Sequence, residues 1–451
     1  MNGGISKAAA HSAIAVLAGL LLSTVSAQAA DLGGNCCADL EERVAELEAT
    51  TARKGNRRMS LTVSGQVTRS ILYWNDGDRS DTYAGLESHV QSTRFTFSGS
   101  AKIRPDLQAG FEFMTEMTGG GRTSAVHQDS VDGTTVTTAA ATHALPGADG
   151  TLAVRTANWW LEDKHWGRVT VGRLDLRGPV GTIDLGGIST VAQASYGLSG
   201  GGFFVRGSVA NGIAANDNVQ LAALVGPTYG GDRIEGIRWD SPSIAGFVAQ
   251  AAWGEDDVWS ASLRYAGEFG GFRVAAGIGY QNMEPNSTLT FDGGLDDANS
   301  FIRRGESEWA GSVAIMHVAS GLFAQGHYGR TEFYNGNEAS TWLIQGGITK
   351  NWFGLGNTSL YAEYAEANGY YGSSGGSFGE VVNRSNLFTN GADRDSEVTI
   401  FGLGVVQQID AAAMELYLGW RRFEVDELRD GAATFATRDI DLVHGGARIR
   451  F

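Results

Sequence analysis

The chain has 451 residues, a formal net charge of −16, 64 glycines and only 6 prolines. This acidic balance argues against nucleic acid as a partner, because surfaces that bind nucleic acid are basic. The only cysteines in the sequence, Cys36 and Cys37, are neighbours. Two adjacent thiols cannot staple a fold of this size, and they lack the spacing of metal ligands.

The first part of the chain carries an export signal. Met1 to Ala29 has the features of a secretory signal peptide: Lys7 near the start, an apolar core over Ala13–Leu22, and the small-residue cleavage pattern Ala27-Gln28-Ala29. The mature chain is therefore expected to begin at Ala30.

Residues 30–58 form an N-terminal extension with a short amphipathic pattern. Leu40, Val44 and Leu47 recur among charged residues at the spacing of a helix, but about two heptads do not hold together alone. The helix either pairs between subunits or leads into the next domain as a solvated helix, and both interpretations stay open. Lipid attachment and inter-chain disulfides stay open for Cys36 and Cys37.

From Met59 onward the side chains alternate with a period of two, as they do along a half-buried strand. Ser60–Trp74, for example, places Leu61, Val63 and Val67 on one face. The chain beyond residue 30 has no run of eighteen apolar residues, so any membrane span would have to be a closed barrel. A soluble sandwich also alternates. The predicted strands are sixteen: Ser60–Trp74, Gln91–Ile103, Leu107–Glu116, Thr151–Asp163, Gly167–Leu174, Arg233–Ser241, Gly246–Gly254, Val258–Glu268, Gly271–Gln281, Trp309–His317, Leu322–Arg330, Ser340–Trp352, Asn357–Glu366, Glu397–Gln408, Ala413–Phe423 and Ile440–Phe451.

The gaps between these strands alternate in length. Every second gap is a tight turn, such as Arg104–Asp106 or Phe269–Gly270, whereas the others are mostly long and polar, such as Asp175–Asp232. Short turns on the periplasmic side and long loops outside are typical of outer-membrane barrels, and a sandwich has no reason to show them. The sequence therefore predicts an all-β fold: a transmembrane antiparallel β-barrel of sixteen strands over residues 59–451, preceded by a short helical segment.

Aromatic residues cluster near the predicted strand ends, where their amphipathic rings would lie at the level of the lipid headgroups. Arg69 is an exception to the pattern, because it falls on the apolar face; a subunit interface would accommodate it. The candidates for the two aromatic girdles are Tyr73, Trp74, Trp253, Trp259, Tyr265, Tyr280, Trp309, Trp352, Trp420 and Phe451.

Four stretches of the mature chain resemble the alphaproteobacterial porins of the rhizobial type. They are Ala38–Arg58 with Leu61–Val67, Trp253–Asp257 with Leu263–Phe269, Gly404–Asp410, and Gly446–Phe451. The resemblance implies a sixteen-stranded, trimeric channel in the outer membrane, in contact with lipid, for small hydrophilic solutes and ions. It also implies that the terminal residue, Phe451, is recognised by the barrel assembly machinery.

The family also suggests how such a wide barrel becomes selective, since porins fold one loop into the lumen. The loop after the fifth strand, within Asp175–Asp232, fits by position, and Asp175 and Asp184 would put negative charge at the narrowing. Opposing charges at a constriction orient dipolar solutes and bias ions. The arginines with the phase of the lumen face, which could form a basic wall or be merely solvated, are Arg94, Arg264, Arg273, Arg421 and Arg448.

The sequence gives little support for catalysis or for a bound cofactor. The histidines show no ligand spacing, so no metal site is predicted. Gly197–Gly201 matches a nucleophile-elbow pattern but lies in a glycine-rich loop without the strand-to-helix setting that the elbow needs. Passive diffusion through a porin is the predicted function. A substrate-specific channel for sugars or phosphate is the alternative, ahead of an outer-membrane adhesin or enzyme.

Overall fold

The computed structural model describes residues 59–451 except 119–120, 129–135, 139–140, 144–150, 177, 179, 182, 194–195, 206–220, 226–232, 283–289, 292–300, 303–306, 333–337, 370–393, 431–432 and 435–436. The predicted signal peptide, the N-terminal extension with its helix, and Cys36 and Cys37 lie outside the described residues. The main sheet has sixteen strands: β1 (Thr62–Asn75), β2 (two segments, Ser80–Glu87 and Arg94–Arg104), β3 (Leu107–Thr118), β4 (Thr151–Asp163), β5 (Gly167–Asp175), β6 (Arg233–Asp240), β7 (Phe247–Gly254), β8 (Trp259–Phe269), β9 (Phe272–Asn282), β10 (Ser307–His317), β11 (Leu322–Glu332), β12 (Glu338–Lys350), β13 (Thr358–Asn368), β14 (Arg394–Ile409), β15 (Met414–Asp430) and β16 (Ile440–Arg450).

The sheet closes on itself. Each strand pairs antiparallel with the next, and β1 pairs with β16 from Gln66 opposite Arg450 to Asn75 opposite Asp441. Closure leaves no unpaired edge, which is what a sheet in hydrocarbon requires. The predicted sixteen-stranded antiparallel barrel is confirmed.

The period of two sorts the side chains into an outer and an inner face. Along β11, Leu322 and Tyr328 point outward and are 56% and 38% exposed, whereas Gln325 and Thr331 point inward and are 7% and 5% exposed. An apolar outside around a polar inside is the pattern of a barrel in a membrane. The exposed apolar residues around the outside include Val63, Val67, Ile71, Phe97, Phe113, Trp159, Ile237, Leu263, Ile278, Val313, Ile315, Ile344, Leu360, Leu403 and Ile449.

One rim of the barrel carries short turns. β8 and β9 are joined by Gly270 and Gly271 alone, with φ of 58° and 80°. A two-residue turn with both central φ angles positive needs glycine, because a Cβ is strained there.

Within the described residues, no helix is long and apolar enough to cross a membrane.

The second strand corrects one sequence-based expectation. Residues 75–90 were predicted to be a loop, but Ser80–Glu87 pairs with β1, where Tyr83 lies opposite Leu72. Residues 88–93 then leave the sheet before pairing resumes with Arg94 opposite Gln66. Because residues 88–93 interrupt the alternation of apolar and polar side chains, the sequence did not predict the first segment of β2. β15 also continues to Asp430, beyond its predicted end.

Aromatic side chains form a row around the outer face at the rim with the long connections. Directly opposed residues alternate with diagonal ring contacts such as Trp259–Tyr280, 5.3 Å between centroids, and Trp309–Tyr328, 5.1 Å. The opposed pairs are Trp253–Trp259, Tyr280–Trp309, Tyr328–Trp342 and Tyr364–Phe401.

Candidate functional site

The connection between β5 and β6 turns into the barrel interior; its described residues within 176–225 are called the inner loop here. The carbonyl of Leu176 accepts hydrogen bonds from Gln250 Nε2 at 2.7 Å and from Ser260 Oγ at 2.6 Å. The Ser312 hydroxyl donates to the carbonyl of Val180. These three donors project inward from β7, β8 and β10, so the first part of the inner loop follows the inside of that wall.

The inner loop then continues across β12, β13 and β15. The carbonyl of Gly186 accepts from the hydroxyls of Thr349 at 2.7 Å and Ser359 at 2.6 Å. Thr190 Oγ1 donates to Glu415 Oε2 at 2.6 Å. The backbone of the loop is thus bonded to inward-facing side chains over much of the circumference.

The predicted constriction residue Asp184 closes a turn within the inner loop. Its Oδ1 accepts the backbone N–H groups of Gly186 at 2.8 Å and Gly187 at 2.9 Å. Its Oδ2 accepts those of Ile188 and Ser189, both at 2.8 Å. A carboxylate bonded to several backbone amides is held firmly in position. Asp184 is therefore both a negative charge in the lumen and the organiser of its own turn.

Asp175, the other predicted acidic residue, lies at the end of β5 opposite Arg233. Its Oδ1 accepts the N–H of Gly178 at 3.2 Å, and its carbonyl accepts from Arg238 Nη1 at 2.7 Å. It marks the point where the chain leaves the wall and enters the lumen.

The later part of the inner loop is apolar. Tyr196, Phe203, Leu221 and Leu224 are each fully buried. Burying such side chains contributes about 1.5–3 kcal/mol each, so packing as well as hydrogen bonding holds this part in place. The wall residues in the same cluster include Leu72, Trp74, Leu343, Ile400, Phe423 and Leu442, from β1, β12, β14, β15 and β16.

This cluster corrects the prediction that Trp74 belongs to an aromatic girdle. Trp74 is 2% exposed, points inward, and packs on Phe203 with 5.5 Å between ring centroids. The apolar cluster covers the inner face of β12–β16 and β1 in the part nearer the rim with the long connections. Tyr83 and Leu86 of the first β2 segment belong to the same cluster.

Two of the five predicted arginines lie under the inner loop. Arg421 and Arg448 are both 8% exposed. Arg421 forms an ion pair with Glu363 at 2.8 Å, and Arg448 pairs with Glu415. The ring of Tyr196 lies 4.8 Å from the Arg421 guanidinium. Burial raises the pKa of the Tyr196 phenol well above its ordinary value, so Tyr196 stays neutral beside this pair.

The other three predicted arginines lie on β2, β8 and β9. Arg264 pairs with Asp240 at 3.0 Å, and Arg273 pairs with Glu268 at 2.8 Å. Arg94 donates to the carbonyl of Ser92 and to the side chain of Gln91. The structure thus places all five arginines on the inner face, and four of them, Arg264, Arg273, Arg421 and Arg448, pair with carboxylates.

Several inward polar residues escaped the sequence analysis. Gln325, Gln345, Glu363 and Glu415 are 3–7% exposed. Gln325, Glu363 and Glu415 touch the inner loop or its anchoring arginines, and Gln345 joins Gln325 to Glu363. Each one lies in the polar register of a predicted strand. The sequence therefore indicates that these side chains face inward. It does not indicate which of them contact each other, because contacts between strands depend on register.

Phe451 lies on the outer surface and is 58% exposed. Its backbone pairs with Gly65 of β1, and its ring is 5.9 Å from that of Phe95. The terminal aromatic therefore sits beside the seam where β16 meets β1.

One cluster at the rim with the short turns has donor groups of the kind that bind metals. Ligand atoms of Asp106, Asp163 and His165 lie within 4.8 Å of one another. Arg104 bridges Asp106 at 3.0 Å and Asp163 at 3.3 Å. The guanidinium thus already supplies the positive charge, and the cluster is explained as an ion-pair network.

Comparison with known proteins agrees with this geometry. Residues 13–428 match the sequence profile of the family described as Gram-negative porin. Comparison with curated protein sequences finds no match. Among solved structures, the chain is similar to OmpT of Vibrio cholerae in its trimer form, with 12% identity, a TM-score of 0.47, and coverage of 87% of this chain and 99% of that one.

Two further solved structures are similar over the same extent. The channel DcaP of Acinetobacter baumannii is 10% identical with a TM-score of 0.48, over 88% of this chain and 99% of that one. OmpF of Salmonella typhi, in complex with daunomycin, is 13% identical with a TM-score of 0.46, over 87% and 98%. The family match spans most of the chain, so this protein belongs to the Gram-negative porin family and forms a channel in the outer membrane.

Proposed function

We propose that this porin is a passive channel for small hydrophilic solutes and ions, with its selectivity set by the inner loop and by the charges facing it. The observation that carries the proposal is the course of the inner loop, which is bonded to wall residues from β7 to β15. A loop fixed across a sixteen-stranded barrel narrows the lumen without closing it. The strand pattern and the four sequence stretches favour the rhizobial type within the family.

The charges support a narrow region with acidic and basic sides. Asp184 supplies negative charge from the inner loop, whereas Arg94 and Arg155 face the lumen from the side of β2–β4. Of these, Arg155 pairs with Glu116. Arg94 lies within electrostatic range of the positive charges of Arg155 and Arg448. Opposing charges across a water-filled passage orient dipoles and bias ions. We propose that four further charged residues support this arrangement of charge in the lumen: Asp175, Arg264, Arg273 and Arg421.

The outer wall supports contact both with lipid and with other subunits. Arg69 points outward from β1, is about half exposed, and pairs with Glu87 at 2.9 Å. An ion pair in the middle of an apolar wall is costly in lipid. We therefore place β1 and β2 in the interface of a homotrimer, and the rest of the apolar band against lipid. Phe451, beside the seam, is the proposed signal for the barrel assembly machinery.

Catalysis finds no support in the described residues. The Gly197–Gly201 pattern begins in the short 3-10 helix Tyr196–Leu198 of the inner loop, and the buried Ser199 hydroxyl has no hydrogen-bond partner there. A nucleophile needs an adjacent base to be activated. We propose a channel without enzymatic activity.

Single-channel recording of the purified protein in planar bilayers tests the proposal. Stepwise conductance that rises in proportion to salt concentration is expected for passive diffusion. Conductance that saturates, and that a sugar or phosphate blocks, would establish the substrate-specific alternative instead. Folded protein that never conducts would contradict both.

A further inference from the structure

A row of polar side chains crosses five neighbouring strands beneath the inner loop. Gln325 of β11 lies opposite Gln345 of β12, which lies opposite Glu363 of β13. Glu363 lies opposite Gly402 of β14, which lies opposite Arg421 of β15. These five residues, named the polar row here, share one register level on the inner face.

The hydrogen bonds of the polar row converge on Glu363 from both sides. Gln325 Nε2 donates to Gln345 Oε1 at 2.8 Å, and Gln345 Nε2 donates to Glu363 Oε2 at 2.9 Å. From the other side, Arg421 Nε donates to Glu363 Oε1 at 2.8 Å. The four side chains are only 3–8% exposed. Because the Glu363 carboxylate can only accept, both amides are held in one orientation.

Gly402 allows the row to cross β14. A Cβ at this position would lie 2.4 Å from Glu363 Oε1 and 2.7 Å from its Cγ. The missing side chain leaves the space through which Glu363 reaches Arg421, two strands away. Any other residue at this position would push the carboxylate off its two partners.

Both ends of the polar row hold the inner loop. At one end the backbone N–H of Leu185 donates to Gln325 Oε1 at 3.3 Å. At the other end Arg421 Nη2 donates to the carbonyl of Val191 at 3.4 Å, and the guanidinium lies over the ring of Tyr196. The row therefore connects two anchor points of the same loop through the wall.

We propose that the polar row is a clamp that fixes Leu185, Val191 and Tyr196 of the inner loop against the wall and so keeps the channel at one cross-section. Gln345 is the positioning residue at its centre, since it touches no solute but joins Gln325 to Glu363. The inference rests on the proposed channel function and adds a mechanism by which the pore stays open at a constant width.

The test compares Gln345→Glu and Gln345→Leu in single-channel recordings at neutral and acidic pH. At neutral pH the new carboxylate of Gln345→Glu faces Glu363, and the row breaks. At acidic pH the protonated group can again donate to Glu363. The expected result is about tenfold more time in altered conductance levels at neutral pH, reversed by acid, because a lost hydrogen bond of this kind changes populations by about that factor. Gln345→Leu should show the increase at both pH values.

The controls separate the clamp from other titrations and from simple loss of structure. Asp184 of the inner loop and His327 of β11 line the same small cavity as Gln345, and Glu363 and Arg421 lie next to it. The wild-type recordings at both pH values measure their contribution. Gln407→Glu and Gln407→Leu repeat the changes at a buried glutamine of β14, bonded to Thr358 and to nearby backbone.

Gly402→Ala provides a second break of the polar row that does not involve Gln345. It should raise the altered levels at both pH values, whereas Gly346→Ala, whose Cβ would meet nothing nearer than 3.7 Å, should not. Steady recordings from Gln345→Leu and Gly402→Ala would overturn the clamp, as would equal behaviour of Gln345→Glu at both pH values. A wild-type protein that does not conduct would instead refute the channel function itself.

Discussion

Phe203→Ala is predicted to loosen the inner loop while leaving the barrel intact. Phe203 is fully buried and packs on Trp74 inside the barrel. The sixteen strands do not depend on it, because their hydrogen bonds run between wall residues only. The substitution therefore acts on the attachment of the loop rather than on the wall.

The size of the effect follows from the cavity that the substitution leaves. Truncating a buried Phe to Ala costs about 3–5 kcal/mol. Every 1.4 kcal/mol changes an equilibrium tenfold, so the detached state of the loop should gain at least about 100-fold in population relative to the packed state. Phe272→Ala is the matched control, since Phe272 points outward from β9 and is 39% exposed.

Limited proteolysis and single-channel recording together measure this effect. Phe203→Ala should be cut within the inner loop and should show a broader and higher distribution of conductance, while the folded barrel survives in detergent until it is heated. Phe272→Ala should resemble the wild type in both assays. Equal cleavage and equal conductance for the two variants would refute the packing argument.

Three other outcomes are expected. Deleting Phe451 should leave unfolded protein in the periplasm, because the terminal aromatic pairs with the seam; normal amounts of folded barrel in the outer membrane would argue against its role. Asp184→Asn should destabilise its turn and lower the cation-to-anion permeability ratio measured from reversal potentials. Glu255→Gln, in the short turn between β7 and β8, should leave this ratio unchanged. Equal changes of the ratio in both variants would show that the constriction lies elsewhere. An epitope inserted within residues 370–393 should bind antibody on intact cells and one at Gly270 should not; reversed accessibility would invert the topology.

The strands were predictable because lipid and water act on opposite faces of the same wall. In β11, for instance, Leu322 and Tyr328 alternate with Gln325 and Thr331. The first segment of β2 was missed because residues 88–93 interrupt the alternation there.

The contacts within the lumen could not be predicted in the same way. Trp74 is an aromatic residue near a predicted strand end, as a girdle residue would be. Only the folded inner loop brings Phe203 into contact with it. Glu363 and Arg421 are 58 positions apart, and their pairing depends on strand register and on the space left by Gly402. The charge of Asp184 was visible in the sequence, but its bonds to four backbone amides depend on the turn that it closes.

Replacing the inner loop by a short turn tests most directly whether this segment sets the pore. Asp175 and Arg233 lie opposite each other in β5 and β6, so a four-residue glycine-rich turn can join the two strands once residues 176–232 are removed. The conductance of the shortened channel should rise several-fold, and larger polyethylene glycols should enter it. A folded, shortened barrel with the conductance and size limit of the wild type would contradict the account.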